Sequence, residues 1–383
     1  MRFFKILPLA VVLLITPLSL EAQIERWTVE LGNELQLGDV AVMDDGTVIA
    51  VLSTREWREH AASTLVRFRP GETAATELGT FEGLGISGIE VLDDDGASLL
   101  VRGAVGEQVA HRLYNFKNGS LVPVWDMSGI DQSADPDVSY LVVSHDAKSW
   151  ATYRIDSRLE TLHVAVGNVP SGKPILTAEL KLTIDPPTEP LGEGPDPFME
   201  WPDEFAGLEL LTLDGDDLAV AALWRGSTQV IRSSNRAASS LLRPSLHGGI
   251  NLYWSPIAHR LWISGFHAWS AYQVDDPALF GGEAVVGPDI ELAYDDLEDC
   301  RADYLRDRTD GTILAVGLRG RCLVLRLDPS GEPKVVAEHD LGPDVVRAKP
   351  SRSGEYVVGI VGSFEDGKLP DTVVMRPVPL VAE

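Results

Sequence analysis

The chain has 383 residues, 44% hydrophobic and 23% charged, with 35 glycines, 24 prolines and a formal net charge of −26. That negative field argues against nucleic acid as a partner, because binding it rests on Lys and Arg neutralising phosphates. Abundant turn formers and no long stretch of helical periodicity point instead to short strands joined by tight turns.

Taken in chain order, the first element is a leader. Arg2 and Lys5 precede an apolar run from Ile6 to Leu18, and Ala22 places a small residue before Gln23. This is the pattern of a secretory signal peptide over residues 1–22. Pro8 and Pro17 interrupt the run, and no later stretch approaches the ~20 apolar residues a spanning helix needs. An exported protein, periplasmic or extracellular and without a membrane span, is expected.

Residues 23–383 read as one domain built on a repeated device: an alternating strand, a tight polar turn, then a more apolar strand. The turns are Asp44-Asp45-Gly46, Asp94-Asp95-Gly96, His145-Asp146-Ala147, Gly215-Asp216-Asp217, Pro256-Ile257-Ala258, Thr309-Asp310-Gly311 and Arg352-Ser353-Gly354. Measured between Gly46, Gly96, Ala147, Asp216, Ala258, Gly311 and Gly354, the intervals are 50, 51, 69, 42, 53 and 43 residues. The long interval contains a Pro-rich acidic insertion at 185–205, interrupted by Phe198, Trp201 and Phe205. Discounting about 20 residues for it restores the ~40–50-residue period of four-stranded propeller blades. At such turns Asp-Gly supplies the positive φ that lets two twisted strands reverse tightly.

The chain ends support a closed ring. Strands are expected at Tyr356–Val361 and Thr372–Val378, with too few residues beyond them for a fourth. Arg26–Leu31, which alternates suitably, would complete the outer edge of the last blade, so that no blade is left as an open end. The expected fold is an all-β, seven-bladed β-propeller, monomeric and closed by its N-terminal strand. Six or eight blades also fit, because the third and fourth repeats are poorly marked.

Leu252-Tyr253-Trp254-Ser255-Pro256 followed by Arg260-Leu261-Trp262-Ile263-Ser264 resembles the WD40-like repeat of TolB-type periplasmic propellers, in which a Trp-Ser-Pro-Asp-Gly turn joins the first two strands. Val143-Ser144-His145-Asp146 and Ser351-Arg352-Ser353-Gly354 look like degraded copies, and Ile257-Ala258 replaces the Asp-Gly in the best one. The resemblance implies a fold over most of the chain and names no ligand.

In a propeller, the loops between blades and those from each second to third strand emerge on one face around the channel. Trp57, Arg58 and His60 fall there, as do Trp224 and Arg225, His267 and Trp269, and Arg319 and Arg321. Flat aromatic faces stack on sugars or apolar side chains while Arg binds carboxylates through two parallel bonds. A protein, a peptide or a glycan, the latter two acidic, would suit such a rim. The plainer alternative pairs each Arg with a local acid and wedges each Trp between blades. The 185–205 insertion lies on the same face, where a long loop can act as a lid or docking element.

Cys300 and Cys322 fall at the same end of blade six, and in an exported chain such a pair is a disulfide candidate. No zinc-hydrolase, serine-hydrolase or phosphate-loop motif occurs. The leading expectation is therefore a non-enzymatic binding or scaffold propeller that calls for no cofactor. The alternative is a calcium-dependent hydrolase resembling the propeller lactonases, in which inner-strand Glu, Asn and Asp hold a metal. Glu90, Asn251 and Asp303 stand near first strands, and oxygen ligands of that kind suit calcium.

Overall fold

The computed structural model describes residues 24–29, 35–54, 62–92, 98–117, 119–130, 141–156, 161–181, 206–213, 218–224, 227–232, 239–242, 251–265, 268–274, 285–293, 297, 300, 302–317, 319–329, 331–362 and 370–381. The leader at 1–22, the insertion at 185–205 and the turns around Asp94 and Gly215 lie outside them.

The described strands form seven sheets, one per blade. The chain opens with β1 (Glu25–Thr28), then builds blade one from β2 (Leu35–Val42), β3 (Val48–Thr54), β4 (Ala62–Phe68) and β5 (Thr76–Glu82). Blade two is β6 (Gly85–Leu92), β7 (Ser98–Val105), β8 (Gln108–Lys117) and β9 (Ser120–Asp126). Blade three is β10 (Leu141–Val143), β11 (Ser149–Asp156), β12 (Thr161–Asn168) and β13 (Pro174–Lys181). Blade four is β14 (Ala206–Thr212), β15 (Leu218–Trp224), β16 (Ser227–Arg232) and β17 (Ser239–Leu242). Blade five is β18 (Asn251–Ser255), β19 (Arg260–Ser264) and β20 (Ala268–Gln273), with β21 (Val285–Val286) passing to blade four before β22 (Ile290–Ala293) returns as its outer strand. Blade six is β23 (Ala302–Asp307), β24 (Ile313–Gly317), β25 (Arg321–Leu327) and β26 (Pro333–Asp340). The last blade is β27 (Val345–Pro350), β28 (Tyr356–Val361) and β29 (Thr372–Pro377), completed by β1.

Blades pack face to face, so the middle strands are apolar on both sides and read as continuous runs rather than alternating ones. In β3, Val48, Ala50 and Leu52 enter the core shared with the last blade, whereas Ile49 and Val51 enter the core shared with blade two. Outer strands such as β5 stay largely exposed, which accounts for their polar composition.

The turn chemistry follows the sequence expectation. Gly46, Gly311 and Gly354 have φ of 79°, 73° and 72°. Their N–H groups donate to Met43, Arg308 and Ser351 carbonyls at 3.0, 3.1 and 3.2 Å. Ala147 fills the same place at φ 55°, donating to the Ser144 carbonyl at 2.9 Å. Asp45 and Asp310 each accept the N–H two residues on, at 2.8 and 3.0 Å, fixing the reversal.

The ring closes as expected, with a shorter strand than Arg26–Leu31. β1 pairs antiparallel with β29, Arg26 opposite Val374. Trp27, 2% exposed, stacks on Phe68 of blade one at 5.3 Å and donates its indole N–H to the Glu72 carbonyl at 2.7 Å.

The expected disulfide is corrected: Cys300 and Cys322 are both free, buried thiols. Alternation along β25 sends Cys322 into the core between blade six and the last blade, whereas Cys300 packs in the core between blades five and six. The two sulfurs thus serve opposite faces of one sheet. Cys300 lies against the Arg321 carbonyl and Cys322 against that of Gly320, at 3.5 and 3.4 Å. Burial pushes the Cys300 thiol up to about 11.

Candidate functional site: the central channel

Each first strand begins at a blade-to-blade loop and ends in a turn, so all seven run the same way along the ring's axis. In four of them the register breaks at a matching place: Leu37/Asp39, Ile86/Gly88, Ala302/Tyr304 and Val345/Arg347. A bulge re-aims side chains that would otherwise alternate between two neighbouring cores. At and beyond these breaks the inner strands carry Asp39, Glu90, Arg306, Asp307, Arg347 and Lys349.

Glu90 of β6 receives the Arg102 guanidinium at 2.7 Å. Its side chain is 46% exposed, yet Arg102, Arg352, Arg306 and Lys349 all act on it. It therefore faces water inside the ring rather than open solvent. Desolvation works against its charge, but those cations prevail and hold the carboxyl below its usual range. Asp39 of β2 is 2% exposed and bridges two blades: Lys349 donates to it at 2.7 Å, Arg347 at 3.5 Å and the Ile89 N–H at 2.9 Å.

On the opposite side stand Glu209 of β14, Tyr253 of β18, and Tyr304 and Arg306 of β23. The Arg306 guanidinium lies over the Tyr253 ring at 4.2 Å and donates to its neighbour's carbonyl at Leu305, 2.7 Å. Its Nε has no hydrogen-bond partner. Glu209 is desolvated and faces the Glu90 charge; together these push its carboxyl up to about 8, against the opposing pull of Arg352, the Trp254 N–H and Arg306. Arg102, Arg306, Lys349 and Arg352 thus act on Glu90, Arg347 and Lys349 on Asp39, and Arg306 and Arg352 on Glu209.

The sequence-predicted rim fares differently residue by residue. Trp57, Arg58, His60, Arg225 and His267 lie outside the described residues, as does the side chain of Trp224 at the end of β15. Trp269 is turned inward, 2% exposed, with its indole N–H on the Ala302 carbonyl at 2.9 Å, a wedge between blades five and six. Arg319 sits exposed in the turn after β24. Arg321 heads β25 and pairs with Glu338 at 2.8 Å. The cation cluster instead includes Arg352, from the turn leaving β27, and so reaches the opposite end of the channel from the rim loops.

The three calcium candidates stand on three different blades. Glu90 is taken by Arg102, Asn251 lies exposed opposite Ser264 at the head of its strand, and Asp303 occupies the register break of β23. Among the described residues no three His, Cys, Asp or Glu side chains group to hold a metal ion.

A second concavity, about 440 Å³, lies on blade three, lined by the Arg154-His163-Glu179 cross-strand row and by Thr152, Ala165 and Thr177. His163 Nδ1 stands 3.4 Å from Glu179 Oε1.

Sequence reasoning passed over Arg306, Lys349, Arg352, Glu209 and Tyr253. The available signal was the alternation Tyr304-x-Arg306 and Arg347-x-Lys349 in strands whose neighbours are apolar.

The chain is similar in fold to Sqt1 of Chaetomium thermophilum. The two share 12% identity with a TM-score of 0.53, over 94% of this chain and 98% of that one. At that identity the likeness speaks to the fold alone. No family model matches the sequence, and no curated protein matches it. Among the described residues no helix is long and apolar enough to cross a membrane.

Proposed function

We propose that the protein is an exported binding propeller that takes an anionic ligand, an acidic glycan or the acidic side chain of a peptide or protein, into its central channel. The observation that carries this reading is the convergence of Arg306, Lys349 and Arg352 on the channel of an otherwise strongly acidic chain. Cations gathered where low-dielectric walls focus the field attract an anion more strongly than scattered surface charges do. Arg306 adds a guanidinium lying over an aromatic ring, with a donor to spare. Export is supported by Arg2, Lys5 and the apolar run that follows.

Calorimetric titration with galacturonate oligomers and with an acidic peptide, against neutral galactose oligomers and a neutral peptide, tests the reading. Binding of the acidic arms alone is expected. Arg306→Gln with Lys349→Gln should weaken it about ten- to hundredfold per lost charge-assisted bond. Equal affinity for neutral and acidic arms would refute it.

A further inference from the structure

Unlike β3, the middle strands of blade three, β11 and β12, are apolar on one side only. Ala151, Tyr153, Leu162 and Val164 enter the core shared with blade four, joined by Leu176 of β13. Thr152, Arg154, His163, Ala165, Thr177 and Glu179 alternate with them and face the other way, towards blade two. The apolar contact between those two blades runs instead through Leu141 and Val143 of β10 and through Val169, so it stops short of these six. What it leaves is the concavity of about 440 Å³ on blade three. That size is within the range of small-molecule pockets, ~300–1,000 Å³. Its polar groups are largely unclaimed. Among the described residues Arg154 joins no ion pair, Glu179 meets only the His163 imidazole at 3.4 Å, and the buried Thr152 hydroxyl has no hydrogen-bond partner. Buried polar groups of a core normally satisfy one another, and these do not.

We propose that this concavity is a second ligand site, for a small zwitterion: an amino acid or dipeptide whose carboxylate is taken by Arg154 and whose ammonium is taken by Glu179. It uses no inner-strand residue and is independent of the anionic-ligand reading of the channel. Charge selects the class. A simple anion would meet Glu179 and a simple cation Arg154, whereas a molecule bearing both signs answers each. Arg154 offers a carboxylate two parallel bonds, and the Glu179 carboxylate has acceptor capacity for an ammonium. Register sets the size, because Arg154, His163 and Glu179 lie directly opposite one another on β11, β12 and β13. With strands ~4.8 Å apart, Arg154 and Glu179 stem from points roughly 9.6 Å apart, and two charge-assisted bonds of ~2.8 Å leave about 4 Å between the ligand's own charges. Each further residue would add ~3.5 Å, so a longer peptide overshoots. His163 stands midway, where an imidazole can bond the ammonium or an amide, and Ala165, one row along, is small enough to leave room.

The experiment is a calorimetric titration of the whole protein at pH 7 with alanyl-alanine, set against its N-acetyl form, its C-terminal amide, tetra-alanine and glucose. The dipeptide is expected to bind about tenfold or more tightly than either blocked form and than tetra-alanine, and glucose not at all. Arg154→Gln should abolish the preference over the amide and keep that over the acetylated form. Glu179→Gln should do the reverse. That crossed pattern requires each side chain to meet its own end of the ligand, whereas a general loss of shape would lower every arm together. Blocked forms that match the dipeptide, glucose that binds as well, or no dipeptide binding up to about 10 mM would each overturn the proposal, and these arms need only the wild-type protein. Wild-type selectivity kept in both variants, with unchanged thermal midpoints, would place the binding elsewhere and overturn it too.

Discussion

Ring closure is the most exposed mechanical feature of the fold, because β1 supplies four residues and no covalent link. Trp27→Ala perturbs it at one point. The substitution removes a side chain that is 2% exposed, a ring stacked on Phe68 at 5.3 Å, and the indole donor of the Glu72 carbonyl at 2.7 Å. Truncating a buried Trp to Ala costs about 3–5 kcal/mol, since the lost transfer energy is joined by a cavity that relaxes incompletely. Much of a typical domain's stability of about 5–15 kcal/mol would go with it. Differential scanning calorimetry should show the midpoint lowered by about 6–10 °C, at ~2 °C per kcal/mol for a large domain. Hydrogen exchange should localise the effect, with Val373 and Met375 of β29, partners of Trp27 and Glu25, exchanging faster than the middle strands of blade two. Val122→Ala, on the exposed outer strand of blade two, serves as the control and should change stability by less than about 0.5 kcal/mol. A Trp27→Ala midpoint within 1 °C of wild type would refute the closure argument.

Other consequences follow from single contacts. Gly46→Ala should cost about 1–2 kcal/mol, because φ is 79° and the added Cβ would meet Tyr356 and Pro70 at 3.0 and 3.1 Å; urea unfolding measures it. Ala147→Gly, at φ 55°, should be neutral or stabilising in the same assay, unlike most Ala-to-Gly changes. With both thiols free, reductant should leave the thermal midpoint unchanged, and thiol titration of the unfolded chain should count two per molecule. Glu209 also links stability to pH. Its folded value of about 8 lies above the unfolded 4.5, so the folded state holds the extra proton between those limits. Stability then declines as pH rises through that window, by at most about 1.4 kcal/mol per unit. Glu209→Gln should flatten this slope, gaining on wild type at pH 9 and not at pH 5, as read by calorimetry at both.

Much of the architecture was legible in the chain itself. The turns at Gly46, Gly311 and Gly354 announce themselves through local backbone need, and β1 could be placed because blade arithmetic left one strand missing at the far end. Both rest on short-range or counting rules, which sequence carries directly. The fifth strand added by β21 to blade four escaped, since parallel pairing of two residues leaves no periodic trace.

The site is a different matter. Trp269 looked like a rim residue and proved to be a wedge, and Cys300 and Cys322 looked like a bridge and proved to lie on opposite sheet faces. What the sequence by itself determined is the number of turns, the two-sided apolar middle strands and the order of blades, because each depends on residues near one another in the chain. What tertiary structure alone decided is which charges meet. Glu90, Glu209, Arg306 and Arg352 come from four blades more than 250 residues apart at the extremes, and it is the ring that brings them within reach of one another's fields.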